Sequence, residues 1–310
     1  PLEERRRTKA GITFEEAAER YLAAREAGWK NAKHRQQSRN TLASYAYPAL
    51  GGLPVAAIET SNIAGILEPL WQEKTETASR LRGRIEAVLD WATAHGYRQG
   101  ENPARWRGHL DKLLPKRSKV QRVQHHKALA YAELPAFYAR LQAQDGIGAL
   151  ALRFTILTAA RTGEVIGARW GEIDGAVWNV PAERMKAGRP HRVPLSDEAL
   201  AVLTVLRPLA AGDDPFVFPG VKGKGLSGAA MAATLKRMGH GGITVHGFRS
   251  TFRDWAGEQT SYPREVCEAA LAHVNADKVE AAYLRSDLFE RRRALLADWA
   301  GFCTSAGRNP

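Results

Sequence analysis

The chain has 310 residues, 44% of them hydrophobic and 25% charged, with 45 Lys and Arg against 33 Asp and Glu for a formal net charge of +12. Length and balance fit about two globular domains of roughly 100 to 200 residues each and exclude disorder and collagen-like structure. The most apolar run, Ala149–Ala160, is broken by Arg153, so nothing approaches the ~18 uncharged residues of a membrane span; the N-terminus lacks a signal peptide, and two cysteines, Cys267 and Cys303, are too few for a disulfide framework or a zinc site. A cytoplasmic location is expected.

Pro1 is not a natural start, so the chain reads as a trimmed piece of a longer protein. A capping box of Thr13 and Glu16 opens a helix running to about Gly28. Ser38 or Asn40 is expected to open a second, Gly51-Gly52 breaks the chain, and Thr60-Ser61-Asn62 is expected to cap a short helix through Trp71. Glu76 to Ala94 is amphipathic (Leu81, Ile85, Val88, Leu89, Ala92) and closes at His95-Gly96. Residues 11–105 therefore read as a helical domain and the basic stretch 106–128 as a linker.

From Ala130 helices are expected at about 131–143 and 147–160. Val177–Val180 and Arg192–Leu195 read as short strands, with Ala187-Gly188-Arg189-Pro190 as the turn of a hairpin between Met185 and Arg192. Helices resume at Ser196, Ser227, His246, Pro263, Asp277 and Asp287. Residues 129–305 thus form a mixed, mostly helical second domain.

A charge that serves only solubility should be spread, whereas one that binds a polyanion should cluster. Residues 1–130 hold 23 basic and 14 acidic side chains, net +9, and residues 131–310 hold 22 and 19, net +3. Arg105, Arg107, Lys112, Lys116, Arg117, Lys119, Arg122 and Lys127 face Asp111 alone, and Lys30, Lys33, His34, Arg35 and Arg39 have no acidic residue among them. Each run alone could be a solvated face. Two runs flanking one helical segment favour a clamp for nucleic acid.

Six residues, Arg161, Lys186, His246, Arg249, His273 and Tyr283, carry the candidate chemistry. In His246-Gly247-Phe248-Arg249-Ser250-Thr251-Phe252-Arg253-Asp254-Trp255, helical spacing puts Phe248, Phe252 and Trp255 on one face and His246, Arg249 and Arg253 on the next. A lone His-x-x-Arg is more often a solvated helix face. Arg161 sits at a break between two helices, aimed into a cleft or merely complementing a helix dipole; Glu164 could hold Arg161 or a histidine, or simply occupy a first turn. Lys186 lies beside the hairpin turn, His273 follows the apolar helix Val266–Ala272, and Tyr283 comes ten residues later. Singly, each is ordinary, as is the run Arg291-Arg292-Arg293.

Together, two arginines, a lysine, two histidines and a tyrosine are what phosphodiester cleavage through a covalent intermediate requires. Arginines clamp nonbridging oxygens and stabilise charge building at phosphorus. A nucleophile splits one transfer into two, and a positioned lysine can protonate a leaving 5′-oxygen. No carboxylate cluster suits two-metal catalysis and no Walker loop is present, so neither metal nor other cofactor is expected.

Ala160-Arg161-Thr162-Gly163-Glu164, Met185-Lys186-Ala187-Gly188, His246-Gly247-Phe248-Arg249, Leu271-Ala272-His273 and Ala281-Ala282-Tyr283 resemble, in order and spacing, the boxes of the tyrosine recombinase (phage integrase) family. Thr77 to Ile85 and Glu101-Asn102-Pro103-Ala104 resemble the core-binding domain of its genomic-island and prophage branch, here without the N-terminal arm-binding domain. The resemblance implies a mainly α fold with a small β-sheet, built as a two-domain C-shaped clamp on duplex DNA, with Lys30, Lys33, Arg35, Arg39, Arg80, Arg84, Lys116, Arg117, Lys119 and Arg122 as DNA-binding candidates. It implies Tyr283 as the nucleophile giving a 3′-phosphotyrosyl bond, and Arg161, Arg249 and His273 as the phosphate-holding groups. Lys186 would be the acid, and His246, with Glu164 behind it, the proton-transfer assistant. The implied partners are double-stranded DNA attachment sites, a homotetramer on DNA and an accessory DNA-bending protein. A type IB topoisomerase-like relaxing enzyme and a non-catalytic DNA-binding regulator of the same fold are the competing readings.

Overall fold

The computed structural model describes residues 11–25, 32–116, 120, 127–213, 215–221, 224–273 and 286–307, without the side chains of 32–34. The chain forms two units, Pro1–Val123 and Gln124–Pro310. The helix expected at Asp277, and the end of the first helix beyond Arg25, lie outside the described residues.

The first unit is helical. α1 (Phe14–Arg25) begins at the expected capping box: Thr13 N–H donates to Glu16 Oε2 at 3.1 Å and Glu16 N–H to Thr13 Oγ1 at 3.2 Å. α2 (Ala32–Tyr45) starts well before Ser38 or Asn40. Ser38 does not open the helix; it is a buried residue of its inner face, where packing outweighs a local preference for caps. α3 is Tyr47–Leu50, α4 Thr60–Glu73 and α5 Thr75–Ala94. The cap of α4 is Glu59 rather than the Thr-Ser-Asn run, with Asn62 Oδ1 accepting the Glu59 N–H at 2.9 Å. Thr60 Oγ1 instead meets His109 Nε2 at 2.7 Å. Phe14, Leu22, Leu67, Trp71, Leu81, Ile85 and Leu89 form the core. Residues 106–116 of the stretch expected as a linker pack on this core: Leu110 and Leu114 are buried in it, Trp106 stacks on Trp71, and Trp71 Nε1–H donates to Pro115 O.

The second unit runs through α6 (Leu134–Gln142), α7 (Ile147–Thr158) and α8 (Thr162–Ile166), then strands β1 (Ile173–Asp174), β2 (Val177–Val180) and β3 (His191–Pro194). The antiparallel order is β1-β2-β3, with Trp178 opposite Val193 and Val180 opposite His191. β1 was not expected, and the hairpin does not turn tightly between Met185 and Arg192. Its connection is ten residues, Pro181 to Pro190, and includes a 3-10 turn at Ala182–Arg184. α9 (Asp197–Leu206) is capped by Ser196, as expected, whereas α10 (Ala230–Arg237) starts three residues after Ser227. α11 (Gly247–Gln259), α12 (Arg264–Ala270) and α13 (Phe289–Cys303) follow. The aromatic face of α11 is the buried one: Phe252 and Trp255 meet Trp299 of α13, whose Nε1–H donates to Ile156 O of α7. Among the described residues no helix is long and apolar enough to cross a membrane.

Candidate phosphate-binding site

The apolar helix α7 ends at Ala159, whose φ of 49° is left-handed, a conformation costing a residue with a Cβ about 1–2 kcal/mol. The corner turns the chain so that Arg161 becomes the N-cap residue of α8. Glu164, 5% exposed, takes the Arg161 backbone N–H on Oε2 at 2.9 Å and its Nη1 on Oε1 at 2.8 Å. Of the two roles left open by the sequence, Glu164 has the first: it holds Arg161. Arg161 Nη2 donates on to the carbonyls of Leu271 (3.4 Å) and Ala272 (3.2 Å).

α11 supplies the second guanidinium. Its first residue must be glycine because a Cβ at Gly247 would lie 2.4 Å from Lys127 O. Arg249, two residues on, is 5% exposed; Nη1 donates to Ala159 O at 2.5 Å, and Nη2 to Leu271 O at 2.6 Å and to His273 Nε2 at 3.1 Å. Burial, and after it the nearby Arg161, pushes this guanidinium down to about 10, so it remains a cation at neutral pH. Arg161, Arg249 and His273 therefore converge on one backbone corner, Leu271–Ala272, where Ala272 is again left-handed (φ 47°).

Two further charged residues complete this corner: Arg253, read from the sequence as sharing the His246 and Arg249 face, and Glu268, which was not singled out. His273 Nδ1 meets Glu268 Oε2 at 2.6 Å, and Arg253 Nε donates to Glu268 Oε1 at 2.8 Å. Burial opposes ionisation of Glu268, but the hydrogen bonds from Arg253 and His273 outweigh it and hold the carboxyl below its ordinary range. Glu268 carries no local signal, since a single charge on an amphipathic helix looks like any solvated position.

Lys186 is exposed in the hairpin connection, and His246 is exposed at the N-cap of α11. The connection is tied to α8 by Arg184, which bonds Glu172 and the carbonyl of Glu164. Tyr283 lies outside the described residues. In the first unit Arg39 pairs with Glu19 at 3.3 Å and Arg80 with Glu76 at 2.9 Å. Arg84, one turn after Arg80, is partly buried, and burial followed by repulsion from Arg80 lowers its pKa. Arg35 is partly buried and Lys116 exposed. Lys30, Arg117, Lys119, Arg122 and the side chain of Lys33 lie outside the described residues.

His191, at the start of β3, was also missed. Burial, with added repulsion from Arg292, Arg161 and Arg249 against the opposing pull of Asp287, pushes its imidazole down from 6.5 to about 4. The unfolded chain therefore takes up this proton more readily than the folded one, so stability is full above pH ~6.5 and falls as pH drops toward ~4. Between pH 7 and pH 5, denaturant unfolding should show a His191-dependent loss of about 2 kcal/mol. His191→Gln is expected to remove that part of the slope; an identical pH dependence in both chains would refute it.

Residues 14–109 match the phage integrase central domain and residues 127–288 the phage integrase family. The chain is 33% identical to prophage integrase IntZ of Escherichia coli K12, over 97% of this chain and 75% of that protein, and 28% identical to the integrase of Enterobacteria phage P4, over 97% and 71%. In fold it is similar to a lambda integrase in the crystal structure of a tetramer bound to a Holliday junction, with a TM-score of 0.68, 16% identity, and coverage of 90% of this chain and 82% of that one. It is also similar to the Tn1549 transposon integrase in complex with circular intermediate DNA, with a TM-score of 0.63, 15% identity, and coverage of 91% and 98%.

Proposed function

The chain belongs to the phage integrase family of tyrosine recombinases, which act in site-specific recombination, and from that premise we propose the chemistry its own residues perform. Tyr283 attacks the scissile phosphate of a duplex attachment site; the Tyr283 oxygen–phosphorus bond forms as the bond to the 5′-oxygen breaks, leaving a 3′-phosphotyrosyl link and a free 5′-hydroxyl. Arg161, Arg249 and His273 hold the phosphate. Lys186 gives the leaving oxygen its proton, and His246 assists proton transfer. Rejoining reverses the step with the 5′-hydroxyl of a partner strand, so no external energy source is required.

The convergence of Arg161, Arg249 and His273 from three distant parts of the chain on the Leu271–Ala272 corner carries this reading. Three hydrogen bonds occupy part of the Arg249 fork and leave two of its five N–H donors for an anion. Glu164 fixes the neighbouring Arg161, so the site costs little to organise when phosphate arrives. The basic residues of the first unit, with Arg80 and Arg84 on one stripe of α5, supply sequence-independent grip on the DNA backbone. The lambda integrase tetramer on a Holliday junction supports a homotetramer exchanging strands on DNA; a cytoplasmic location and an accessory bending protein belong to the same proposal.

A nicked suicide duplex spanning the attachment junction traps the intermediate, because the short 5′-terminated fragment diffuses away before rejoining. The full chain is expected to give a covalent adduct stable to detergent, with the phosphonucleotide mapped by peptide mass spectrometry to Tyr283. No adduct, or an adduct on another residue, overturns the assignment. Plasmid relaxation without junction products would instead favour the topoisomerase reading.

A further inference from the structure

We propose that Glu268 is a positioning residue for strand cleavage: it fixes His273 in the tautomer that carries its proton on Nδ1 and turns Nε2 toward the phosphate-holding arginines. The inference rests on the phosphotyrosyl reading above for its kinetic consequence, but not for its structural one.

The two nitrogens of His273 face partners of opposite and unambiguous kind. An ionised carboxylate only accepts, so the 2.6 Å contact to Glu268 Oε2 requires a proton on Nδ1. A guanidinium only donates, so the 3.1 Å contact from Arg249 Nη2 requires a lone pair on Nε2. Both constraints select the same neutral tautomer, the one less common for a histidine in water. Glu268 is itself held: Arg253, one turn beyond Arg249 on α11, donates Nε to its other oxygen at 2.8 Å, and the His273 N–H donates to the Glu268 carbonyl at 3.0 Å. One helix thus grips the ring from both sides, Arg249 at Nε2 and Arg253 through the carboxylate. Without Glu268 the proton is free to settle on Nε2 and the ring is free to rotate about χ2, so the bond to Arg249 is lost. Outer partners of this kind are typically worth about 10–100-fold in activity.

The test uses the full chain with 15N-labelled histidine, observed without DNA at alkaline pH, together with the rate of adduct formation on the suicide duplex. The wild-type spectrum should show His273 protonated at Nδ1. Glu268→Ala should move the proton to Nε2 and slow adduct formation about 10–100-fold, with duplex affinity unchanged within about twofold. Glu268→Gln keeps an acceptor oxygen and should restore the Nδ1–H signature and part of the rate. Glu268→Met, which keeps volume without an acceptor, replaces the alanine variant if that variant does not fold. An Nδ1–H signature retained in Glu268→Ala, or a wild-type adduct rate, overturns the proposal. A wild-type chain that forms no adduct defeats the phosphotyrosyl reading instead, and the tautomer measurement then judges Glu268 alone.

Discussion

Arg249→Lys is expected to lower the rate of covalent adduct formation about 10²–10³-fold, the usual cost of losing one preorganised donor at developing charge. The substitution preserves the positive charge, so a site that needed only a cation would tolerate it. Arg249 does more than supply charge: its fork spans Ala159 O at 2.5 Å, Leu271 O at 2.6 Å and His273 Nε2 at 3.1 Å, and joins the α7–α8 corner to the corner before His273. A lysine ammonium is a single nitrogen on a flexible stem and cannot reach three diverging acceptors while facing a phosphate. The Ala159 carbonyl would lose this donor, at about 1–3 kcal/mol where buried, and the Leu271 carbonyl would keep only the longer 3.4 Å bond from Arg161 Nη2. Duplex affinity should change only a few-fold, because the many backbone contacts expected from the first unit dominate binding. Single-turnover rates and affinities on the same suicide duplex separate the two. A loss of affinity as large as the loss of rate would show that Arg249 serves binding rather than the reacting phosphate.

What the sequence conveyed about this molecule divides along the range of the interactions. Short-range devices were readable: the Thr13–Glu16 box and the Ser196 cap both form where their spacing places them. Misplaced helix starts came from the same kind of residue in another setting. Ser38 is 2% exposed on the inner face of α2, and Asn62 serves the Glu59 N–H from within α4 rather than capping it. In the site, Arg161, Arg249 and His273 were legible by type and order, and their 90- to 111-residue contacts agree with the grouping inferred from chemistry. Glu268 and His191 were not, and Arg253 was legible only as sharing a face with Arg249, because their partners are set by how α11, α12 and β3 pack, and no local pattern encodes that. Of Arg291-Arg292-Arg293, read together as a solvated face, two are exposed and the middle one is 1% exposed.

That middle residue carries the largest stability effect expected in the second unit. Arg292 donates Nε to Asp287 O at 2.7 Å, Nη1 to Arg192 O at 2.6 Å and Nη2 to Asp287 Oδ2 at 3.1 Å. Asp287 in turn accepts Arg192 Nε and Nη2 at 2.9 and 3.0 Å and takes the Phe289 N–H at the start of α13. One buried guanidinium thus pins the first turn of α13 to β3. Arg292→Met keeps the stem but removes all three donors and the guanidinium over the Phe289 ring, leaving partly buried carbonyls unmet; a loss of about 2–3 kcal/mol is expected in denaturant unfolding of this unit. Arg293→Ala, whose side chain is 52% exposed, pairs with Glu290 at the surface and lies over the Phe289 ring at 5.0 Å, should change stability by less than about 1 kcal/mol. Asp287 is also only four residues beyond Tyr283, at most about 14 Å of extended chain. On the proposal that Tyr283 is the nucleophile, adduct formation in Arg292→Met is expected to slow even at temperatures where the unit remains folded. If Arg292→Met unfolds within about 1 kcal/mol of the wild type, the buried bonds to Arg192 and Asp287 contribute no net stability and α13 is held by its apolar face alone.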